Sequence, residues 1–134
     1  MIASSMNESS SNGSSNRIPN LNQQLAHFTG SEYYYRHMLS RLYYTEGVQY
    51  LAQTYRCYWL LDKILIEAAL NKNLLKEDFQ VWKLTWLRED VFELHCLDGN
   101  DRELFKEVIP YSDFVADHLT LWFSDGVLLL PTEY

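Results

Sequence analysis

The chain has 134 residues and a net charge of −7; 47% of its residues are hydrophobic and 15% are aromatic. That length supports one domain whose core needs no disulfides or metals, and no apolar run reaches the roughly 18 residues of a membrane span. Residues 67–134 carry six basic and fourteen acidic side chains, and this balance disfavours binding to duplex nucleic acid, which needs clustered Lys and Arg.

The start of the chain, residues 1–17, is rich in Ser and Asn and offers almost nothing to bury. This composition predicts a disordered tail, followed by a single domain at residues 18–134. The tail has no apolar segment like that of a signal peptide, so we expect a cytoplasmic protein. Cys57 and Cys96 lie within apolar segments and are therefore predicted to be buried, reduced thiols.

Helices are expected in the first half of the domain. A short helix has Asn20 in position to cap its start and Gly30 in position to cap its end. Thr45 offers a second N-cap, and apolar residues then recur at helical spacing. The pattern predicts helix over residues 45–71 but leaves open whether it forms one bent helix or two. The segment 31–44 is ambiguous, because its aromatic residues are nearly consecutive.

The apolar period then changes from 3.6 to 2, which indicates strands with one buried face. Two alternating runs occur at residues 81–86 and 92–96, and a third run, 103–109, stops at a proline that cannot donate to a sheet. Asp125-Gly126 predicts a tight hairpin between two more strands. The predicted fold is an α+β, two-layer domain, with N-terminal helices packed on a roughly five-stranded antiparallel meander sheet.

Familiar catalytic and metal-binding motifs are missing from the sequence. The four histidines and two cysteines lack the spacing of a zinc site, and neither a glycine-rich phosphate loop nor a G-x-S-x-G elbow is present. We therefore predict no catalytic residues, no metal and no cofactor. A small enzyme that uses Glu32, His37 and Tyr34 stays open as an alternative.

Tyrosine is unusually concentrated, because eight of the ten tyrosines lie between residues 33 and 58. Tyrosine joins a large apolar ring to a polar tip, and arginine adds contacts to carboxylate or phosphate, so both are common at binding surfaces. Segment 31–44 is therefore interpreted as a recognition patch for a protein partner or for single-stranded nucleic acid. The competing interpretation is that half of these rings pack the helices onto the sheet, with their hydroxyls satisfied at its rim. The predicted patch comprises Glu32, Tyr33, Tyr34, Tyr35, Arg36, His37, Arg41 and Tyr44.

The acidic second half supports another hypothesis. Carboxylates spaced like phosphates on one face of the sheet would mimic a nucleic acid and could inhibit a nuclease. The residues that this acidic face would use are Glu89, Asp90, Glu93, Asp101 and Glu103. For the leading interpretation we expect a protein partner, no membrane, and either a monomer or a small homo-oligomer.

Six blocks of the sequence resemble a family of small bacterial, plasmid and phage proteins of unknown function. The blocks are FTGSEYYYRH (28–37), YTEGVQYLA (44–52), YWLLDKI (58–64), FQVWKL (79–84), IPYSDF (109–114) and DGVLLLPTEY (125–134). The resemblance covers about residues 20–134, and this chain departs from the pattern at residues 55–57 and at Thr132. It implies no activity, but the family's setting among mobile elements implies an accessory or regulatory role. The residues on motif positions are Phe28, Gly30, Glu32, Tyr34, His37, Tyr44, Gly47 and Asp125.

Overall fold

A computed structural model describes residues 17–134; residues 1–16, most of the predicted disordered tail, lie outside the described residues. The described chain runs from a short helix through two strands, three helices and five further strands to a 3₁₀ turn. Its elements are α1 (Leu21–Gln24), β1 (Tyr34–Arg36), β2 (Tyr43–Thr45), α2 (Glu46–Thr54), α3 (Tyr58–Leu70), α4 (Lys72–Leu75), β3 (Phe79–Arg88), β4 (Val91–Leu97), β5 (Glu103–Ile109), β6 (His118–Ser124), β7 (Val127–Leu129) and the 3₁₀ turn Pro131–Glu133.

The seven strands of residues 17–134 form one sheet in the order β1-β2-β7-β6-β3-β4-β5. All neighbours are antiparallel except β2 and β7, which run parallel. The α+β class is confirmed, whereas the purely antiparallel five-stranded meander is wrong. Segment 31–44, whose consecutive tyrosines conceal any alternation, supplies β1 and the first two residues of β2; β2 pairs with β7, and β1 pairs with β2.

Local signals located most of the elements correctly. Asn20 caps α1, and the Thr45 side chain accepts from the Val48 amide at the start of α2. The Asp125-Gly126 turn has φ of 51° and 84° at its two central residues, as the tightest hairpin turns require. β5 covers Glu103–Ile109, the predicted third strand.

Two other features were left open or predicted wrongly from the sequence, and the structure defines them. Residues 45–71 form two helices, α2 and α3, because Arg56 adopts a left-handed backbone with φ of 56° and interrupts the helical hydrogen bonds. The predicted C-cap at Gly30 is wrong: α1 ends at Gln24, with Leu25 as its C-cap, and Gly30 lies in an open loop.

The hydrophobic core lies between the helices and one face of the sheet. Trp82, Leu84, Phe92 and Leu94 point into it from β3 and β4, and α3 contributes residues such as Leu61. Burying aromatic and aliphatic side chains of this size is the main source of stability in a domain of this length. No helix within residues 17–134 is long and apolar enough to cross a membrane.

The cysteines allow a direct test of the core. Both thiols are fully buried, and burial raises the pKa of each to about 12. Because the thiolate is the reactive form, we expect a thiol reagent such as 5,5′-dithiobis(2-nitrobenzoate) to label the native protein at least a hundredfold more slowly than the same chain in guanidinium chloride. Rapid labelling of both thiols in the native protein would contradict this packing.

Candidate interaction site at the sheet edge

β1 and β2 form a hairpin at one end of the sheet, with β1 as its outermost strand. The two strands pair with Tyr34 opposite Thr45, Tyr35 opposite Tyr44, and Arg36 opposite Tyr43. We call residues 31–44 the edge hairpin segment. It contains all eight residues of the predicted patch.

The hydrogen bonds around the edge hairpin segment fix the direction of its backbone groups. The amide of His37 donates to Leu42 O at 2.7 Å, and the amide of Tyr43 donates to Gly126 O at 3.0 Å. Because N–H and C=O of one residue point the same way and alternate along a strand, Tyr35 and His37 face β2. Tyr34 and Arg36 therefore direct their N–H and C=O groups away from the sheet.

The side chains of the edge hairpin segment are largely exposed. The exposed fractions are 66% for Tyr33, 56% for Tyr34 and 40% for Tyr35, and they reach 86% for Met38 and 73% for Leu39. Glu32, Arg36 and Arg41 are also exposed. The rings of Tyr33, Tyr34 and Tyr35 therefore lie outside the core, whereas Tyr44 and Tyr55 are partly buried and pack against it.

Tyr44 is the least exposed tyrosine of the predicted patch. Its ring stacks on that of Tyr35, with 5.5 Å between centroids and 17° between planes. Burial raises the pKa of Tyr44, with smaller contributions from Tyr58, Tyr35 and Asp62 nearby. The stack gives Tyr35 a fixed support, so that its ring is presented on the surface with little rotational freedom.

His37 is buried and fastens the hairpin to α3. Its Nε2 lies 2.7 Å from Asp62 Oδ1, and its Nδ1 lies 2.8 Å from Ser40 Oγ. Both ring nitrogens are thus occupied, and Glu32 is not brought to the ring. The small-enzyme constellation of Glu32, His37 and Tyr34 is therefore not assembled.

The Ser40–His37–Asp62 chain has the residue types of a hydrolytic triad, but its hydrogen bonds stabilise the loop between β1 and β2. The amides of Ser40, Arg41 and Leu42 donate to His37 Nδ1, His37 O and Ser40 Oγ respectively. A hydrolase needs amides near its nucleophile to stabilise the oxyanion, and these three are already used. No group of three or more potential metal ligands was found within residues 17–134.

Glu133 forms hydrogen bonds at the two ends of the edge hairpin segment, a role that was not predicted from the sequence. Its Oε1 accepts from Thr45 Oγ1 at 2.6 Å and from the Leu130 amide at 2.9 Å. Its Oε2 accepts from Ser31 Oγ at 2.8 Å and from the Gly47 amide at 3.1 Å. One carboxylate therefore joins the C-terminal turn to the start of α2 and to the entry of β1. Leu130 and Glu133 lie in the LPTEY block, and Thr45 and Gly47 lie in the YTEG block, but the sequence does not show that the two blocks are in contact.

Gly47 is the glycine that this arrangement requires. A Cβ added there would lie 2.6 Å from Leu130 Cδ1 and 2.8 Å from Glu133 Oε2, closer than van der Waals contact allows. Tyr134 follows Glu133 and packs edge-to-face against the rings of Phe79 and Trp122. A groove of about 300 Å³ beside Tyr34 is lined by Thr45, Asp125, Val127 and Tyr134, among others.

The carboxylates of the predicted acidic face fall into separate groups. Glu89 and Asp90 form the turn before β4, whereas Asp101 and Glu103 follow β4. At about 3.4 Å per residue these groups lie roughly 20 Å apart, at opposite ends of the strand. Glu93, between them, pairs with Lys106 at 3.6 Å. The five carboxylates therefore do not form a continuous row.

The fold and the site together define a class: an α+β domain with a mixed sheet, whose edge hairpin presents exposed aromatic and arginine side chains. The chain belongs to DUF6876, a family of unknown function whose model matches residues 19–134. This membership confirms the resemblance to an uncharacterised family. The comparisons with curated proteins and with solved structures found no match.

Proposed function

We propose that this protein is a cytoplasmic, non-enzymatic interaction module of accessory or regulatory role, which binds a protein partner through the edge hairpin segment. The observation that carries the proposal is the exposure of Tyr33, Tyr34, Tyr35, Met38 and Leu39 on one short hairpin. Contiguous exposed apolar groups on a folded domain are characteristic of binding surfaces. Tyrosine is suited to such a surface because its rigid side chain loses little entropy on binding.

The pattern of anchoring supports the same function. The exposed rings are held on a strand pair, while His37 fastens the turn between β1 and β2 to α3, and Glu133 connects Ser31, at the start of the segment, to α2. A surface fixed in this way is pre-organised, which reduces the conformational cost of association. Binding rather than catalysis is also favoured by the way His37 and Ser40 are used within the loop.

Affinity purification from the native host, followed by mass spectrometry, tests the proposal. We expect Tyr34→Ala to reduce capture of the partner at least tenfold while its melting temperature stays within about 2 °C of the wild type, since truncating an exposed ring removes no core contact. Tyr111→Ala is the matched control, because Tyr111 is 87% exposed and lies outside the hairpin.

Equal capture by the wild type and Tyr34→Ala would contradict the proposal. A large drop in melting temperature for Tyr34→Ala would contradict it as well, because it would assign that ring to folding rather than to binding.

A further inference from the structure

Building on the proposed function, we infer that the outer edge of β1 binds an acidic, extended peptide segment of the partner, which adds a strand to the sheet. Three features of the edge favour such a segment: unpaired backbone groups, unpaired arginines, and tyrosine rings on both faces.

The backbone of β1 is open to a new strand. Tyr34 and Arg36 direct two N–H and two C=O groups outward, and these groups have no hydrogen-bond partner within residues 17–134. Exposed strand edges of this kind are templates for pairing with another chain. Here a peptide in extended conformation can form the missing main-chain bonds, as in other cases of strand addition.

The charges at this edge favour an acidic segment. Arg36 and Arg41 are both exposed, and within the described chain neither has a carboxylate within 4.0 Å. They lie toward the same end of β1, whereas Glu32 lies at the other end. An incoming strand should therefore place its Asp or Glu residues near the Arg36 end, where bidentate pairing with a guanidinium is possible.

The tyrosine rings favour large or β-branched residues between the acids. Successive side chains of an added strand point to opposite faces of the sheet. On one face they would meet Tyr34, and on the other they would meet Tyr35, which is supported by Tyr44. Aromatic and β-branched neighbours on adjacent strands contribute to stability on either face.

A nucleic acid fits these features less well than a peptide. It cannot supply amide and carbonyl groups at the spacing of a strand edge, and the protein as a whole carries a charge of −7. We therefore expect the edge to bind an extended peptide more tightly than a single-stranded nucleic acid.

Selection from a phage library of random linear dodecapeptides tests the chemistry. The full-length protein should enrich peptides with β-branched or aromatic residues at alternate positions and with Asp or Glu clustered at one end. Enrichment of basic sequences, or tighter binding of a fluorescein-labelled fifteen-residue oligothymidine than of any selected peptide, would overturn the inference.

Variants of Arg36 separate charge from backbone pairing. Arg36→Gln removes the charge but keeps the outward N–H, and we expect about fivefold weaker binding of a selected peptide. Arg36→Pro also removes the N–H and should weaken binding at least a further tenfold, since proline on an edge strand costs only the outward donor. Arg88→Gln, at the exposed last residue of β3, is the control and should bind like the wild type.

Amide hydrogen exchange, followed by NMR on the wild-type protein, makes the result independent of how the proline variant folds. A bound peptide should slow exchange at the amides of Tyr34 and Arg36 at least tenfold, while the amides of Tyr35 and His37 already face Tyr44 and Leu42 within the hairpin. Unchanged exchange at Tyr34 and Arg36 in the bound state would overturn strand addition. Protection of both amides in a self-associated dimer without peptide would overturn it too.

The two proposals fail in distinguishable ways. If Tyr34→Ala loses the native partner but the partner leaves the Tyr34 and Arg36 amides unprotected, the interaction module stands and strand addition fails. If Tyr34→Ala captures the partner as well as the wild type does, the proposed function fails and strand addition at this edge fails with it.

Discussion

Replacement of Glu133 by alanine is expected to lower the free energy of unfolding by about 4 kcal/mol, since hydrogen bonds to a charged group are worth roughly 1.5–3 kcal/mol each and are not fully additive. The carboxylate accepts four hydrogen bonds, two of them from backbone amides at Gly47 and Leu130. Thr45 and Gly47 are buried, so their donors would be left without partners. In a domain of this size the change corresponds to a fall in melting temperature of roughly 14 °C.

Chemical denaturation monitored by circular dichroism measures this effect. Glu133→Gln should recover part of the loss, because the amide oxygen accepts hydrogen bonds but the amide nitrogen does not. Thr132→Ala is the control from the same turn, since its hydroxyl bonds only to Phe28 O at an exposed position. A loss below about 1 kcal/mol for Glu133→Ala would mean that water replaces the carboxylate without penalty.

A substitution at Gly47 tests the contacts of Glu133 from the other side. Gly47→Ala should cost roughly 1–3 kcal/mol through overpacking, whereas Gly30→Ala, where nothing lies within 4 Å of the added Cβ, should be nearly neutral. Combining Gly47→Ala with Glu133→Ala should give a loss smaller than the sum of the single losses, because the two residues are in contact.

Replacement of Gln80 by leucine is expected to cost about 3 kcal/mol, the penalty for leaving a few buried polar groups without partners. Gln80 points from β3 into the core and is 1% exposed. Its Nε2 donates to Leu74 O at 3.0 Å, and its Oε1 accepts from Trp82 Nε1 at 2.9 Å. Leucine fills a similar volume, so the loss reports on the hydrogen bonds rather than on a cavity.

The same denaturation assay applies, with intrinsic tryptophan fluorescence as a second readout. Gln53→Leu, an exposed position on α2, is the matched control and should change stability by less than about 0.5 kcal/mol. If Gln80→Leu left the free energy of unfolding unchanged, the Trp82 indole N–H and the Leu74 carbonyl would have to form hydrogen bonds with other groups in the core.

The sequence predicted the elements that have regular patterns. The alternation at residues 81–86 and 92–96, the proline that ends β5 and the Asp125-Gly126 turn are local signals, and the strands follow them. The edge hairpin segment could not be predicted, because three consecutive tyrosines have no period and a strand exposed on both faces needs none.

The connections between distant residues were also beyond sequence reasoning. Asp62 lies 25 residues after His37, and Glu133 lies 86 residues after Gly47, so each contact depends on the complete topology. Exposure of the predicted patch was one of two open interpretations, because a tyrosine ring suits a core and a surface equally well.

The parallel pairing of β2 with β7 determines when the edge can form during synthesis. β7 ends at Leu129, yet it is the only strand that links the early β1–β2 hairpin to the remainder of the sheet described here. The hairpin made from residues 34–45 must therefore wait for more than eighty further residues to leave the ribosome before it has a neighbouring strand. A short hairpin alone is marginally stable in water. We therefore expect nascent chains that end before residue 127 to lack this binding surface.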